Sequence, residues 1–340
     1  MIESGKGEWL DWSRAGFEAA RQLLAHPDPA RRHHGHSFAL EMRVARGATP
    51  GANWCDHLAS LAERLDYRDL NACLNAVDDH DILDWFVQHL GVSPRSSWLS
   101  AGARQGGIRD AQGNHYHWFL DRFEASHFLP QVPAGHKCGR LHGHGFEVVL
   151  MIPAAQDRLA LRVAWTRLRE RLHEHCLNDL AGLECPTSEM LAAWIWRQLV
   201  AQDIPMAQVD VFETGSCGSS YDGIRHRVWK RRSFDSALWR DDRRTGHTFV
   251  LNLGLSADMD ETMGWIMDFG DIKQLFDPLY RELDHQPLHE RGLMNSGEVL
   301  RWIVAQTGSR LPALDRVDLQ ETPTHGVIWQ RSRDMSGLAR

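Results

Sequence analysis

The chain has 340 residues, 43% of them hydrophobic, and a formal net charge of −7. That length suffices for a large buried core in two or three domains, and the acidic balance gives no general electrostatic reason to bind nucleic acid, since phosphate contacts need clustered Lys and Arg. There is no run of about 18 apolar residues to cross a membrane, and the start, "MIESGKGEWLDW", lacks the basic-then-apolar order of a signal peptide.

A cytoplasmic location is therefore expected. The six cysteines (Cys55, Cys73, Cys138, Cys176, Cys185, Cys217) show no paired framework, so reduced thiols are expected. The basic run "WKRRS" at 229–233 reads as a solvated face.

Taken in order, the chain makes one pattern three times. The first pass has "FEAARQL" at 17–23, an apolar strand with a polar entry, "HHGHSFALEMRV", and a helical segment ending in "LAERLDYRDLN" at 61–71. A second amphipathic helix starts near Asp78, and "SSWLSAG" opens two closing strands. The second pass reads "FEASHFL" at 123–129, "LHGHGFEVVLMI", "LRERLHEHCLN" at 168–178, a helix from Thr187 containing "SEMLAAWIWRQL", then "VDVFETG". The third is weaker at its start, "FDSALWR" at 234–240, and continues through "RTGHTFVLNLGL", "LYRELDHQPLH" at 279–289, a helix from Ser296 and "VDLQETP". The period is about 110 residues.

Each pass is strand, strand, helix, helix, strand, strand, with period 2 in the strands and 3.6 in the helices. Four antiparallel strands covered on one face leave two open edges per unit, and three units in one chain can remove them by closing a ring. The predicted fold is α+β: three tandem ββααββ units over 1–112, 113–228 and 229–340. Together they form a pseudo-trimeric twelve-strand antiparallel barrel with six helices outside.

His142 and His144, at i and i+2 on a strand, face the same way about 6 to 7 Å apart. His127 on the neighbouring strand completes a three-histidine set with open positions, the pattern of a catalytic zinc; the alternative is ordinary polar contacts for three of the 20 histidines. The first repeat keeps His34 and His36 but has Arg21 at the third position, and guanidinium cannot ligate. The third keeps His247, with Thr245 and Leu238 elsewhere. Both are expected to be degenerate. Cys138 reads as a fourth ligand, as a base beside a metal, or as a buried thiol; Ala30 stands near its position in the first repeat.

The segments "FEASH", "CGRLHGHGFEVV", "LNDL", "CPTSEMLAAWIW" and "VDVFETGSCGSSYDG", with "GWIMDFGDIKQLFDPLYRELDHQPL" in the third repeat, resemble the 6-pyruvoyl-tetrahydropterin synthase and 6-carboxytetrahydropterin synthase family. That resemblance implies the tunnelling fold, in which three single-unit chains close a barrel and two barrels stack. Three fused units imitate one trimer, and such a chain can pair into a homodimeric pseudo-hexamer. It also implies a Zn²⁺-dependent lyase acting on 7,8-dihydroneopterin triphosphate, with His127, His142 and His144 as ligands and Cys138 as proton acceptor. Asp284 and His285 form the proton relay it implies. The second repeat has His173 and Glu174 at those positions and the first has Asp66 and Tyr67, so the metal and base come from one repeat and the relay from another. The pterin-anchoring carboxylate matches Glu321 first and Glu213 second; the first repeat has Ser100 or Ala101 there. "CGRLHGH" is close to the queuosine-pathway type, which favours a carboxy product over a pyruvoyl one. The rival reading is a non-catalytic pterin- or purine-binding tunnelling-fold protein.

Overall fold

The computed structural model describes residues 7–23, 31–48, 53–240, 242–260, 262–308 and 310–331. The first repeat contains β1 (Glu8–Arg21), β2 (His34–Ala45), α1 (Trp54–Leu65), β3 (Arg68–Asp69), α2 (Leu70–Cys73), α3 (Asp79–Leu90), β4 (Pro94–Ala101) and β5 (Gln105–Asp110). The second contains β6 (His115–His127), β7 (His142–Pro153), α4 (Arg158–Leu172), α5 (Ser188–Val200), β8 (Gln208–Thr214) and β9 (Cys217–Tyr221). The third contains β10 (His226–Arg240), β11 (Arg243–Leu255), α6 (Phe269–Leu283), α7 (Ser296–Thr307), β12 (Leu314–Thr322) and β13 (His325–Gln330).

Twelve strands run antiparallel in one sheet, and β13 pairs with β1 from Glu8↔Gln330 to Ser13↔His325, closing the barrel. Among the described residues seven α-helices stand where six were expected; the addition is α2, a single turn, and the two-residue β3 is likewise extra. Alternation decides which face each side chain takes. Phe123, Phe146, Val148 and Leu150 pack under Trp165, Leu168, Leu191 and Ile195 of α4 and α5, and the other repeats build equivalent cores. The opposite face lines the lumen. There Trp98, Trp118, Val149 and Met151 cluster, and the buried Arg43 and Arg316, paired with the half-buried Glu41 and Asp318, border a cavity of about 420 Å³.

The first strand of each repeat outruns its neighbour in the preceding repeat: β10 pairs with β9 only from His226 to Lys230, and β6 with β5 only from His115 to Phe119. The exposed edge that remains is filled by the chain leaving the first long helix. Asp66 Oδ1, His173 Nδ1 and Asp284 Oδ1 accept from the backbone N–H of Glu18, Glu124 and Asp235 at 2.8, 3.1 and 3.0 Å. The next residue, Tyr67, Glu174 or His285, then takes positive φ (52°, 60° and 57°) and donates its N–H back to the same strand residue's carbonyl. Three non-glycine residues accept this left-handed backbone because it satisfies an otherwise orphaned strand edge.

If the side-chain acceptor serves the fold at this position, Asp66→Ala should destabilise the protein by about 1 kcal/mol. Urea unfolding measures the loss, and an unchanged midpoint would remove the edge-filling role.

Candidate metal centre and catalytic site

The pairing register sets the site. His127 lies opposite His142 and Ala125 opposite His144, so three imidazoles converge with ring centroids 4.5, 5.2 and 5.1 Å apart. Gly143 between the two histidines is needed, because a Cβ there would come within 3.1 Å of the Ala125 carbonyl oxygen. Nδ1 of His127 faces the Pro186 carbonyl at 2.9 Å and Nδ1 of His142 faces the Arg140 carbonyl at 2.8 Å. A carbonyl can only accept, so both rings are protonated on Nδ1 and offer the Nε2 lone pair.

Glu213, at the end of β8, joins this group. One ligand atom from each of His127, His142, His144 and Glu213 lies within 4.8 Å of the others. Glu213 Oε1 is 3.3 Å from His144 Nε2. His127 Nε2 is buried without a hydrogen-bond partner; a buried imidazole nitrogen left in this state fits the lone-pair donor of a metal ligand. Burial holds His127 below the ordinary histidine range and therefore neutral, as a ligand must be. Burial pushes Glu213 up, but its contact with His144 lowers it by more.

Cys138 sits on a 3-10 turn, Lys137–Gly139, at the edge of this group. Burial raises its thiol pKa, Glu213 and Asp268 raise it further, and Lys137 opposes them. Asp268 belongs to the third repeat, where it caps α6, yet its Oδ2 reaches within 3.7 Å of His136 Nε2. Sequence reasoning passed over Asp268, His136 and Glu189 as site residues. Only the repeat-to-repeat packing joins them, although "MDFGDIK" and "CPTSEM" contain two of the three.

The described contacts of Asp284 and His285 lie elsewhere. The Asp284 carboxylate holds the β10 edge and lies 3.1 Å from His285 Nδ1, and the imidazole is 76% exposed. Asp284 is depressed below its ordinary range: burial is the largest single contribution and raises it, but the Asp235 N–H, His285 and Arg232 together lower it by more. Glu321 is likewise in its own repeat. It is buried, accepts from Ser296 Oγ at 2.6 Å and lies 3.7 Å from His247 Nε2. Of the two candidate anchors, the structure brings Glu213 to the three-histidine cluster.

The other repeats show what the same backbone does with different side chains. Arg21 lies opposite His34, and its guanidinium is 2.8 Å from Asp79, both fully buried. Arg158, at the start of α4, also reaches Asp79 at 3.2 Å. Burial, then Arg21 and His34, push His36 down to about 4. In the third repeat Leu238 lies opposite Thr245, and His247 Nε2 is 2.9 Å from Thr245 Oγ1. Ala101 lies opposite Phe38 as Glu213 follows from the Glu147↔Phe212 pair, which settles Ala101 over Ser100 as the first-repeat counterpart. Ala30 is outside the described residues.

A closed twelve-strand barrel of ββααββ repeats, with an imidazole cluster where one repeat meets the next, defines a tunnelling-fold protein. The chain belongs to the 6-pyruvoyl tetrahydropterin synthase family, whose model matches residues 118–224 and 223–332. It is 36% identical over 115 residues to a 6-carboxy-5,6,7,8-tetrahydropterin synthase of Synechocystis, covering 29% of this chain and 86% of that protein. It is 29% identical over 114 residues to a dihydroneopterin monophosphate aldolase of Pyrococcus furiosus, covering 31% and 96%. Among solved structures, the Caenorhabditis elegans 6-pyruvoyl tetrahydropterin synthase matches 32% of this chain and 94% of its own at 18% identity and a TM-score of 0.29. The family assignment rests on the sequence match. Among the described residues no helix is long and apolar enough to cross a membrane.

Replacing Arg21 with Leu should leave Asp79 under-compensated in the core and cost about 3 kcal/mol; adding Asp79→Ser, the residue type that opens α5 and α7, should recover most of it in urea unfolding. Glu189, buried at the start of α5, is pushed up to about 7 chiefly by burial. Between the ordinary glutamate range and that value the unfolded chain has lost a proton that the folded one keeps, so stability falls as pH rises through the window. Glu189→Gln should lack this fall, and its melting temperature should gain on wild type from about pH 5 to about pH 7.

Proposed function

We propose that the protein is a zinc-dependent lyase acting on 7,8-dihydroneopterin triphosphate, with a 6-carboxytetrahydropterin synthase-like outcome of the kind that feeds queuosine synthesis. The observation that carries the reading is the convergence of three imidazoles with Glu213, His127 presenting a buried Nε2 without a hydrogen-bond partner. The Synechocystis relative supports the carboxy outcome.

His127, His142 and His144 would hold the cation. Bound there, it would supply Lewis acidity to the substrate's side-chain hydroxyls and positive charge favouring the Cys138 thiolate. Cys138 takes a proton from the carbon next to those hydroxyls. Burial and the carboxylates of Glu213 and Asp268 raise its pKa, so the thiolate depends on added positive charge. Glu213 offers a carboxylate to the guanidine-like edge of the pterin by paired charge-assisted hydrogen bonds, and Glu321 offers the same group in the third repeat.

Asp284 and His285 serve as the proton-transfer pair. Oδ2 of Asp284 orients the imidazole while Oδ1 is occupied by the strand edge, and the ring projects into solvent. Pairing of two chains into a pseudo-hexamer is the assembly that the threefold repeat suggests for such a projecting group.

Metal analysis should find about one zinc per chain, retained when His34 and His36 are replaced by Ala and lost in His142→Ala. Product identification from 7,8-dihydroneopterin triphosphate should show turnover reduced by a factor on the order of 10² to 10⁴ in Cys138→Ala and in His285→Ala. Three zincs per chain would overturn the single-site reading, and full activity without His285 would remove the relay.

A further inference from the structure

The third repeat touches the second-repeat site through the segment that leads into α6. Gly264 takes φ +71°, and a Cβ there would lie 3.1 Å from Met190 Cγ, so the backbone is pressed against α5. Three groups of the second repeat hold it. Thr187 Oγ1 donates to the Gly264 carbonyl at 2.5 Å, Cys185 Sγ to the Met263 carbonyl at 3.4 Å, and Glu189 Oε1 accepts from the Ile266 N–H at 3.1 Å. The residues opening α3 and α7 at the position of Glu189 are His80 and Gly297, so the carboxylate latch is peculiar to the repeat that bears the three-histidine cluster.

Two residues beyond the latch, Asp268 Oδ1 caps α6 by accepting from the N–H groups of Gly270 and Asp271, which leaves Oδ2 free. That oxygen lies 3.7 Å from His136 Nε2, a polar contact longer than a hydrogen bond. His136 Nδ1 in turn accepts from the Cys138 N–H at 3.3 Å, which leaves an Nε2–H donor facing the carboxylate. Trp265 flanks the same imidazole, with ring centroids 6.3 Å apart.

We infer that Asp268 and His136 are positioning residues: they form a bridge from the third repeat that fixes the turn carrying Cys138, and the Thr187–Glu189 latch sets where Asp268 stands. The inference rests on the reading of Cys138 as the proton acceptor. The turn is tied to the chain leaving β6 by the Leu129 N–H, which donates to the Cys138 carbonyl at 2.8 Å. A bridge to a rigid helix start adds a second restraint from the neighbouring repeat. It also gives the third repeat a part in the site that does not depend on His285.

Three variants separate the links, in full-length protein with amide exchange read at Cys138. His136→Ala removes the cap and the bridge. His136→Asn keeps an acceptor for the Cys138 N–H but is too short to meet Asp268, and Asp268→Asn keeps a good helix cap without the charge. Exchange at Cys138 should rise about five- to tenfold in all three, with kcat for the dihydropterin reaction falling about tenfold and KM little changed. Wild-type exchange in both His136→Asn and Asp268→Asn would overturn the bridge. Faster exchange with unaltered kcat would overturn its role in positioning. Should wild type itself turn over no dihydropterin, the proposed activity fails, while the exchange rates still decide whether the bridge holds the turn.

Discussion

Every strand edge in this molecule has to be paired, and the closure of β13 on β1 is the interaction that makes this possible. A ββααββ unit alone would present two rows of unsatisfied N–H and C=O groups; three in one chain remove all but the staggered ends. Those ends determine much else. Because β1, β6 and β10 outrun their neighbours, the chain leaving each first helix is drawn against them, and it carries Asp66, His173 or Asp284 to the same place. Asp284 is therefore a structural acceptor first, and its link to His285 uses the oxygen left over.

The three repeats keep one backbone and diverge in what fills the end of the first strand pair. His127 stands with two further imidazoles and Glu213, one ligand atom of each within 4.8 Å of the others. Arg21 brings a fixed charge to the same register position, and the fold answers with Asp79 and, from the next repeat, Arg158. Leu238 brings neither, and the remaining His247 turns to Thr245 and Glu321. A buried charge needs a partner, so the loss of one imidazole changed several neighbours.

In the first and second repeats, the start of the next repeat's long helix reaches the site. Arg158 does so toward Asp79, and Asp268 toward His136. The same contact closes an ion network in one case and touches a cysteine turn in the other. Fusion into one chain allows this difference, because the repeats no longer have to be identical.

The amino-acid sequence by itself determined the repeat, its α+β order and the twelve strands, because periods of 2 and 3.6 are local properties that survive without a partner. It also marked Arg21, His127 and Leu238 as one position, which the registers Arg21↔His34, His127↔His142 and Leu238↔Thr245 match. One-turn α2 was missed because a four-residue helix has no period to read. Tertiary structure alone decided that Glu213 and not Glu321 stands with the histidines, that Asp284 spends one oxygen on a strand edge, and that Asp268 faces His136. Each of these depends on strand stagger and on which helix end meets which site. Those quantities are fixed only when the ring closes, and no local pattern encodes them.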